Sequence, residues 1–202
     1  YRIVLKDYLL GSNAKEAEEA GFVHALRAAG YCVSAILSFM EALRFETAFY
    51  LGCVYLHRHM NALGIKSCCP EVFPCTQENL SFRGLYDLSI AIADNFVPVS
   101  NSLELDGKRL VFVTGANQGG KSTFLRSVGI AFSLAQCGMR VPAESFSASL
   151  STGLFTHFAR AEDAEMEHGK LEEELFRMSG IVRSLSPRGL LLMNEAFATT
   201  TE

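Results

Sequence analysis

No single sign of charge dominates this sequence. Its 202 residues hold 18 Lys and Arg against 22 Asp and Glu, a formal net charge of −4. The lack of a basic excess argues against a broad nucleic-acid face and leaves a local patch open. Internal repeats and low-complexity tracts are absent, and with 49% hydrophobic and 20% charged residues the composition excludes disorder and collagen-like structure. No basic segment leads into an apolar run with a cleavage site, so no signal peptide is visible. The uncharged stretch 28–40 falls short of the roughly 20 residues that a membrane span needs, and no membrane partner is expected. Paired cysteine spacings are missing too. Cys68, Cys69 and Cys75 do not match a structural zinc pattern and read as reduced thiols, which fits a cytoplasmic location. Cys32, Cys53 and Cys137 stand in apolar helical surroundings and read as small buried hydrophobes. His57 and His59 do not share a helix face, which argues against a metal pair.

What is present changes character along the chain. Residues 16–63 are strongly helical, with Ala35, Ile36, Phe39, Met40, Leu43, Phe49, Cys53, Val54 and Leu56 at three- and four-residue steps. Only Glu41, Arg44, Tyr55 and Arg58 keep a polar edge, so this helix is expected to pack on several sides. Gly64, Pro70 and Pro74 make 64–80 the best linker candidate. Downstream, Arg109-Leu110-Val111-Phe112-Val113-Thr114 predicts a strand and 121–136 a helix. Strands are also predicted at 141–146, broken by Pro142, and at 154–158. An acidic helix over 165–185 carries Leu171, Leu175, Met178 and Val182 on one face, and Leu190-Leu191-Leu192-Met193 follows as a buried strand. Strands alternating with helices argue for an α/β fold, a parallel sheet with crossover helices.

Between the first of these strands and its helix lies Gly115-Ala116-Asn117-Gln118-Gly119-Gly120-Lys121-Ser122, which matches the G-x-x-x-x-G-K-[ST] pattern of a phosphate-binding loop. A chance match in a chain of this composition has a probability of roughly half a percent. The chemistry needs these residue types. Glycines let the backbone wrap an anion with its N–H groups inward, and the following helix turns its positive end to the same charge. Lys121 is a point charge for the β- and γ-phosphates, and the Ser122 hydroxyl can ligate Mg²⁺. The strand at 190–193 ends in Asn194-Glu195, where a P-loop site normally has an acidic pair. Asn194 brings no negative charge to the metal side, and Glu195 is the candidate general base.

These residues resemble one family. Residues 113–126 are similar to the ATPase domain of the MutS mismatch-repair family, as is Gly138-Met139-Arg140-Val141-Pro142-Ala143-Glu144-Ser145 downstream. Asn194-Glu195-Ala196-Phe197-Ala198-Thr199-Thr200 resembles the form in bacterial MutS-like proteins. The resemblance implies a P-loop NTPase (ABC-like) sheet with crossover helices over 80–202, truncated at its C-terminal end and preceded by a helical lever or connector over 1–79. It implies ATP and Mg²⁺ as ligands, Glu195 and Lys121 in catalysis, and Ser122 and Asn194 at the metal. Nucleotide would be held by Gly115, Ala116, Asn117, Gln118, Gly119, Gly120, Lys121, Ser122 and Thr123. Phe96 matches the family's adenine-stacking position, although read alone it is expected in the core rather than on a base. The resemblance further implies DNA as partner and a homodimer in the full-length protein. The signature serine expected ahead of the acidic helix is missing from His168-Gly169-Lys170-Leu171-Glu172-Glu173-Glu174-Leu175. Lys170 offers an electrostatic substitute. The expected function is therefore ATP binding and hydrolysis coupled to clamp movement. The alternative is a nucleotide-binding switch with little turnover. A small-molecule kinase is disfavoured because Arg160, Arg177, Arg183 and Arg188 are dispersed among acids. A chain that starts at Tyr1 and stops at Glu202, directly after its catalytic strand, reads as a fragment.

Overall fold

The computed structural model describes residues 7–116, 118–158 and 170–194. The chain divides into two compact units, Tyr1–Gly52 and Cys53–Glu202.

Helix α1 runs Asp7–Ala62. The expected helix is there, but its expected packing is not: every described side chain from 18 to 52 is exposed, with Phe45 at 82% and Tyr31 at 77%. Cys32 is exposed with them, and Cys137 is exposed in the second unit, while Cys53 is half-buried. Periodicity registers that a residue is apolar, not that a partner surface is present. By length and composition, Glu18–Ala62 is also long and apolar enough to cross a membrane. Counting an uninterrupted uncharged run understated this, because single charges such as Glu41 and Arg44 break the run without making the helix polar.

Packing begins in the last turns of α1. Met60, with Ile65, Leu88 and Ala91, forms a small core cluster. The helix stops at Gly64, whose φ of 75° lies in the left-handed region. The Gly64 amide then reaches the Asn61 carbonyl and the Ile65 amide the Met60 carbonyl, the paired bonds of a Schellman stop. The segment 64–80 is more than a linker. Cys68 bridges Val141, and β1 (Glu71–Phe73) joins a sheet.

That sheet has β1, β2 (Leu80–Leu85), β3 (Asn101–Glu104) and β4 (Ser145–Ser149) in the order β1-β4-β2-β3. β1 is parallel to β4, and β2 is antiparallel to both its neighbours. The strand expected from 141 begins at 145, because Pro142 has no N–H for a ladder. Helix α2 (Leu88–Asp94) follows β2, and α3 (Lys121–Gln136) follows the loop with the boundaries read from the sequence. A second sheet pairs β5 (Leu154–Phe158) and β6 (Leu190–Asn194) in parallel, from Leu154↔Leu190 to Phe158↔Asn194. Helix α4 (Lys170–Ser184) lies between them in sequence, so β5-α4-β6 is a crossover unit.

The main core joins α3 to both sheets: Val128, Ala131, Phe132 and Ala135 meet Phe82, Leu85, Phe146, Ala148 and Leu192. Two expectations differ here. Residues 109–114 form no strand among the described residues, and Leu110 and Phe112 are 72% and 81% exposed. A β-branched run becomes a strand only against a neighbour's backbone, and β6 pairs only with β5 among the described residues. Helix α4 is turned from its expected face. Leu171, Leu175 and Val182 are exposed, whereas Glu174 is buried and Arg177 half-buried. A polar contact with β5, described below, holds it in that rotation.

Candidate functional site

The phosphate-loop residues sit between an extended approach and α3. Gly120 is the residue before the helix, at φ 83°, a left-handed conformation. A side chain at Gly119 would put its Cβ 2.8 Å from the Ala116 carbonyl oxygen, closer than real contacts allow. The Gly119 amide bonds that same carbonyl at 3.0 Å and closes the turn. Gln118 is held at φ 62°, which costs a non-glycine residue about 1–2 kcal/mol. Such cost is tolerated where surrounding structure fixes the backbone for a purpose.

No side chain caps α3. The first amides of a helix have no acceptor within it, so those of Lys121, Ser122 and Thr123 face the loop's concavity as an anion site. The Lys121 ammonium crosses the loop and donates to the Gly115 and Ala116 carbonyls, both at 2.9 Å. It is thus held over the place where a phosphate would lie.

The second half of the site comes from β6. The Ser122 hydroxyl donates to the Asn194 side-chain carbonyl oxygen at 2.9 Å, across 72 positions of sequence. Two neutral oxygen donors side by side suit a hard cation such as Mg²⁺, which takes few protein ligands and keeps several waters. The residues present therefore fit nucleotide and Mg²⁺ by donor chemistry. Asn117 and Glu195 lie outside the described residues, as does the region of His168 and Gly169. Phe96 is 48% exposed directly after α2, with no ring partner among the described residues. It is not core, and among the described residues no ring contact joins it to another element.

Two polar groups near the site lie outside the motifs named above, although one of them carries a local N-cap signal. Asp87 is buried at the N-cap of α2 and accepts from the Ser89 and Ile90 amides and the Ser89 hydroxyl. Its other oxygen accepts from Arg126 Nε of α3 at 2.9 Å. Burial alone pushes the Asp87 carboxyl up, but the bonds from Ser89, Arg126 and Ile90 outweigh it and hold the group below its ordinary value. The spacing Asp87-x-Ser89 was a legible N-cap signal. The other group is His157, 2% exposed on β5. Burial and then the Arg177 charge hold its imidazole below the usual range, with Glu174 opposing. Arg177 donates to His157 Nδ1 at 3.3 Å and to the Phe158 carbonyl at 3.0 Å. A guanidinium has no acceptor, so Nδ1 holds its lone pair toward Arg177.

Known proteins match the same stretch. Residues 111–201 match the family described as MutS domain V. The DNA mismatch repair protein Msh3 of Mus musculus is 33% identical over 111 residues, which are 55% of this chain and 10% of that protein. Msh3 of Homo sapiens is 30% identical over 109 residues, 54% of this chain and 10% of the relative. The DNA mismatch repair protein MutS of Caldicellulosiruptor saccharolyticus is 30% identical over 101 residues, 50% of this chain and 12% of the relative. The matched segment thus spans about a tenth of the length of these relatives. Residues 111–201, the stretch that carries the loop, α3 and Asn194, are thus similar to MutS domain V and to these mismatch repair proteins.

Proposed function

We propose that the second unit is the nucleotide-binding and hydrolysing module of a MutS-like protein, an ABC-like P-loop NTPase whose ATP cycle drives movement of a clamp on DNA. The observation that carries this reading is the Ser122–Asn194 contact at 2.9 Å. It joins the end of β6 to the loop, so the two sequence motifs face one ligand. Supporting it are the uncapped start of α3 and the Lys121 ammonium held across the loop.

In this reading the loop amides and Lys121 bind the triphosphate, Lys121 exchanging its carbonyl partners for phosphate oxygens. Mg²⁺, when bound, supplies neutralisation of charge between the β- and γ-phosphates. Ser122 and Asn194 hold it, directly or through water. Glu195 takes a proton from the attacking water as the bond from the γ-phosphorus to its bridging oxygen breaks. Because Asn194 is uncharged, the protein itself contributes less to metal retention than a carboxylate would, which favours slow turnover. That observation keeps a second reading in view: a nucleotide switch with little hydrolysis. DNA as partner, mismatch repair as context and pairing of two copies rest on the MutS likeness and on the relatives' names.

Calorimetric titration with ATP and Mg²⁺ tests the binding reading. Lys121→Ala removes the only cation in residues 115–122 and is expected to weaken affinity by about 100-fold, the upper end for a hydrogen bond to a charged group. Equal affinity in parent and variant sinks the reading. Steady-state phosphate release then separates hydrolysis from the switch.

A further inference from the structure

The β5 strand ends at Phe158, in parallel register with Asn194 at the end of β6. That edge of a parallel sheet is where ligand-bearing residues collect. Asn194 can present its carbonyl oxygen to Ser122 only while the end of β6 is held in place. On one side β6 packs on α3, where Leu192 is buried against Gly129. On the other, among the described residues, its strand partner is β5, whose own end must be fixed in turn.

Arg177 supplies that fixing. Its guanidinium reaches from α4 to the Phe158 carbonyl at 3.0 Å, with a second contact to His157 Nδ1 at 3.3 Å. Both contacts come from one nitrogen, Nη2, so the guanidinium is held at the junction of His157 and Phe158, at the end of the strand. Three short steps then connect α4 to the loop: Arg177 to Phe158, Phe158 to Asn194 by strand register, and Asn194 to Ser122. The contact also explains why α4 turns Glu174 and Arg177 inward and leaves its leucines outside.

We propose that Arg177 is a positioning residue for the metal side of the nucleotide site, holding the ends of β5 and β6 so that Asn194 meets Ser122 at the cation. The inference rests on the nucleotide-site reading above. It assigns Arg177 no contact with nucleotide or metal. It predicts that Arg177 governs how much Mg²⁺ improves nucleotide binding, and leaves untouched the affinity that the loop and Lys121 provide alone.

The experiment measures affinity of the full-length protein for a fluorescent ATP analogue, once with Mg²⁺ and once with excess EDTA. It compares the parent with Arg177→Ala, Arg177→Lys and Lys121→Ala, each checked for folding by circular dichroism. The improvement on adding Mg²⁺ is expected to fall by about tenfold in Arg177→Ala, the usual effect of losing a group that orients a metal ligand. Affinity in EDTA is expected to stay within about twofold of the parent, because no loop contact is touched. Arg177→Lys, which can still donate to the Phe158 carbonyl, is expected to recover most of the loss. If Arg177→Ala is unfolded, Arg177→Lys against the parent decides: an intermediate loss of the Mg²⁺ effect supports the proposal and a loss of EDTA affinity overturns it. An unchanged Mg²⁺ effect in Arg177→Ala, or equal losses with and without metal, also overturns it. Failure of the underlying reading looks different, since parent and Lys121→Ala would then bind alike.

Discussion

At the scale of single residues, Asp87 shows how a group outside any motif supports the site. It caps α2 and pairs with Arg126, one turn beyond the residues that would hold phosphate. Asp87→Asn keeps the shape but removes the charge, so the cap survives while the ion pair is lost. The expected destabilisation is about 1–3 kcal/mol at pH 7, from a hydrogen bond to a charged group in a largely buried place. The sign of its pH dependence follows from the lowered carboxyl. Stability from a depressed folded-state value is present above the ordinary 3.8 and is lost as pH falls through the folded value. Urea unfolding of parent and variant should therefore diverge at neutral pH and converge on acidification below 3.8. A gap that persists unchanged in acid would falsify the assignment to the ionised carboxylate.

At the scale of elements, α3 sits on β6 through a glycine. A Cβ on Gly129 would meet Leu192 Cδ1 at 2.9 Å, so even Ala requires Leu192 to shift. Gly129→Val adds two further methyl groups at this contact, where Leu192 is only 6% exposed and has little room to move aside. Overpacking of this kind costs about 1–3 kcal/mol. Here the displacement also pulls Ser122 away from Asn194. Gly129→Val should lower the thermal midpoint and weaken Mg²⁺-dependent nucleotide binding together; a drop in midpoint with intact metal dependence would show that the helix does not set the Ser122–Asn194 distance. This coupling also marks what was legible beforehand. The boundaries of α3 were readable because Gly120 and Gly138, both in the left-handed region, bracket it. β5 and β6 were readable as short apolar runs between breakers. The first sheet was not: β1, at Glu71–Phe73, is three residues long, and its pairing with β4 joins segments over seventy positions apart. The face of α4 was misread for a related reason. Leu171, Leu175 and Val182 satisfy a helical period, but Arg177 finds a carbonyl on β5, and among the described residues that directed polar contact, not the apolar face, is what α4 turns inward.

At the scale of the whole molecule, the two units differ in what holds them. Cys53–Glu202 contains both core clusters and every hydrogen bond that shapes the candidate site. In Tyr1–Gly52 no described side chain is buried, and Phe22, Leu26, Ile36, Phe39 and Phe45 are all more than half exposed. Apolar surface on that scale exceeds what soluble monomers leave uncovered, a few hundred Å² in a contiguous patch. Two consequences follow for a shortened chain of residues 53–202. It should keep its stability, because Met60, Leu56 and the Gly64 stop remain to close the small cluster against Leu88 and Ala91. It should also lose a tendency to self-associate, because the uncovered helix face is gone. Differential scanning fluorimetry is expected to place the midpoint of residues 53–202 within about 3 °C of the 202-residue chain, a difference below 1 kcal/mol for a domain of this size. Light scattering of both chains in detergent-free buffer is expected to show larger species only for the longer one. A midpoint lower by about 10 °C or more, equivalent to several kcal/mol, would mean that Met60, Leu56 and the Gly64 stop do not suffice to hold the second unit.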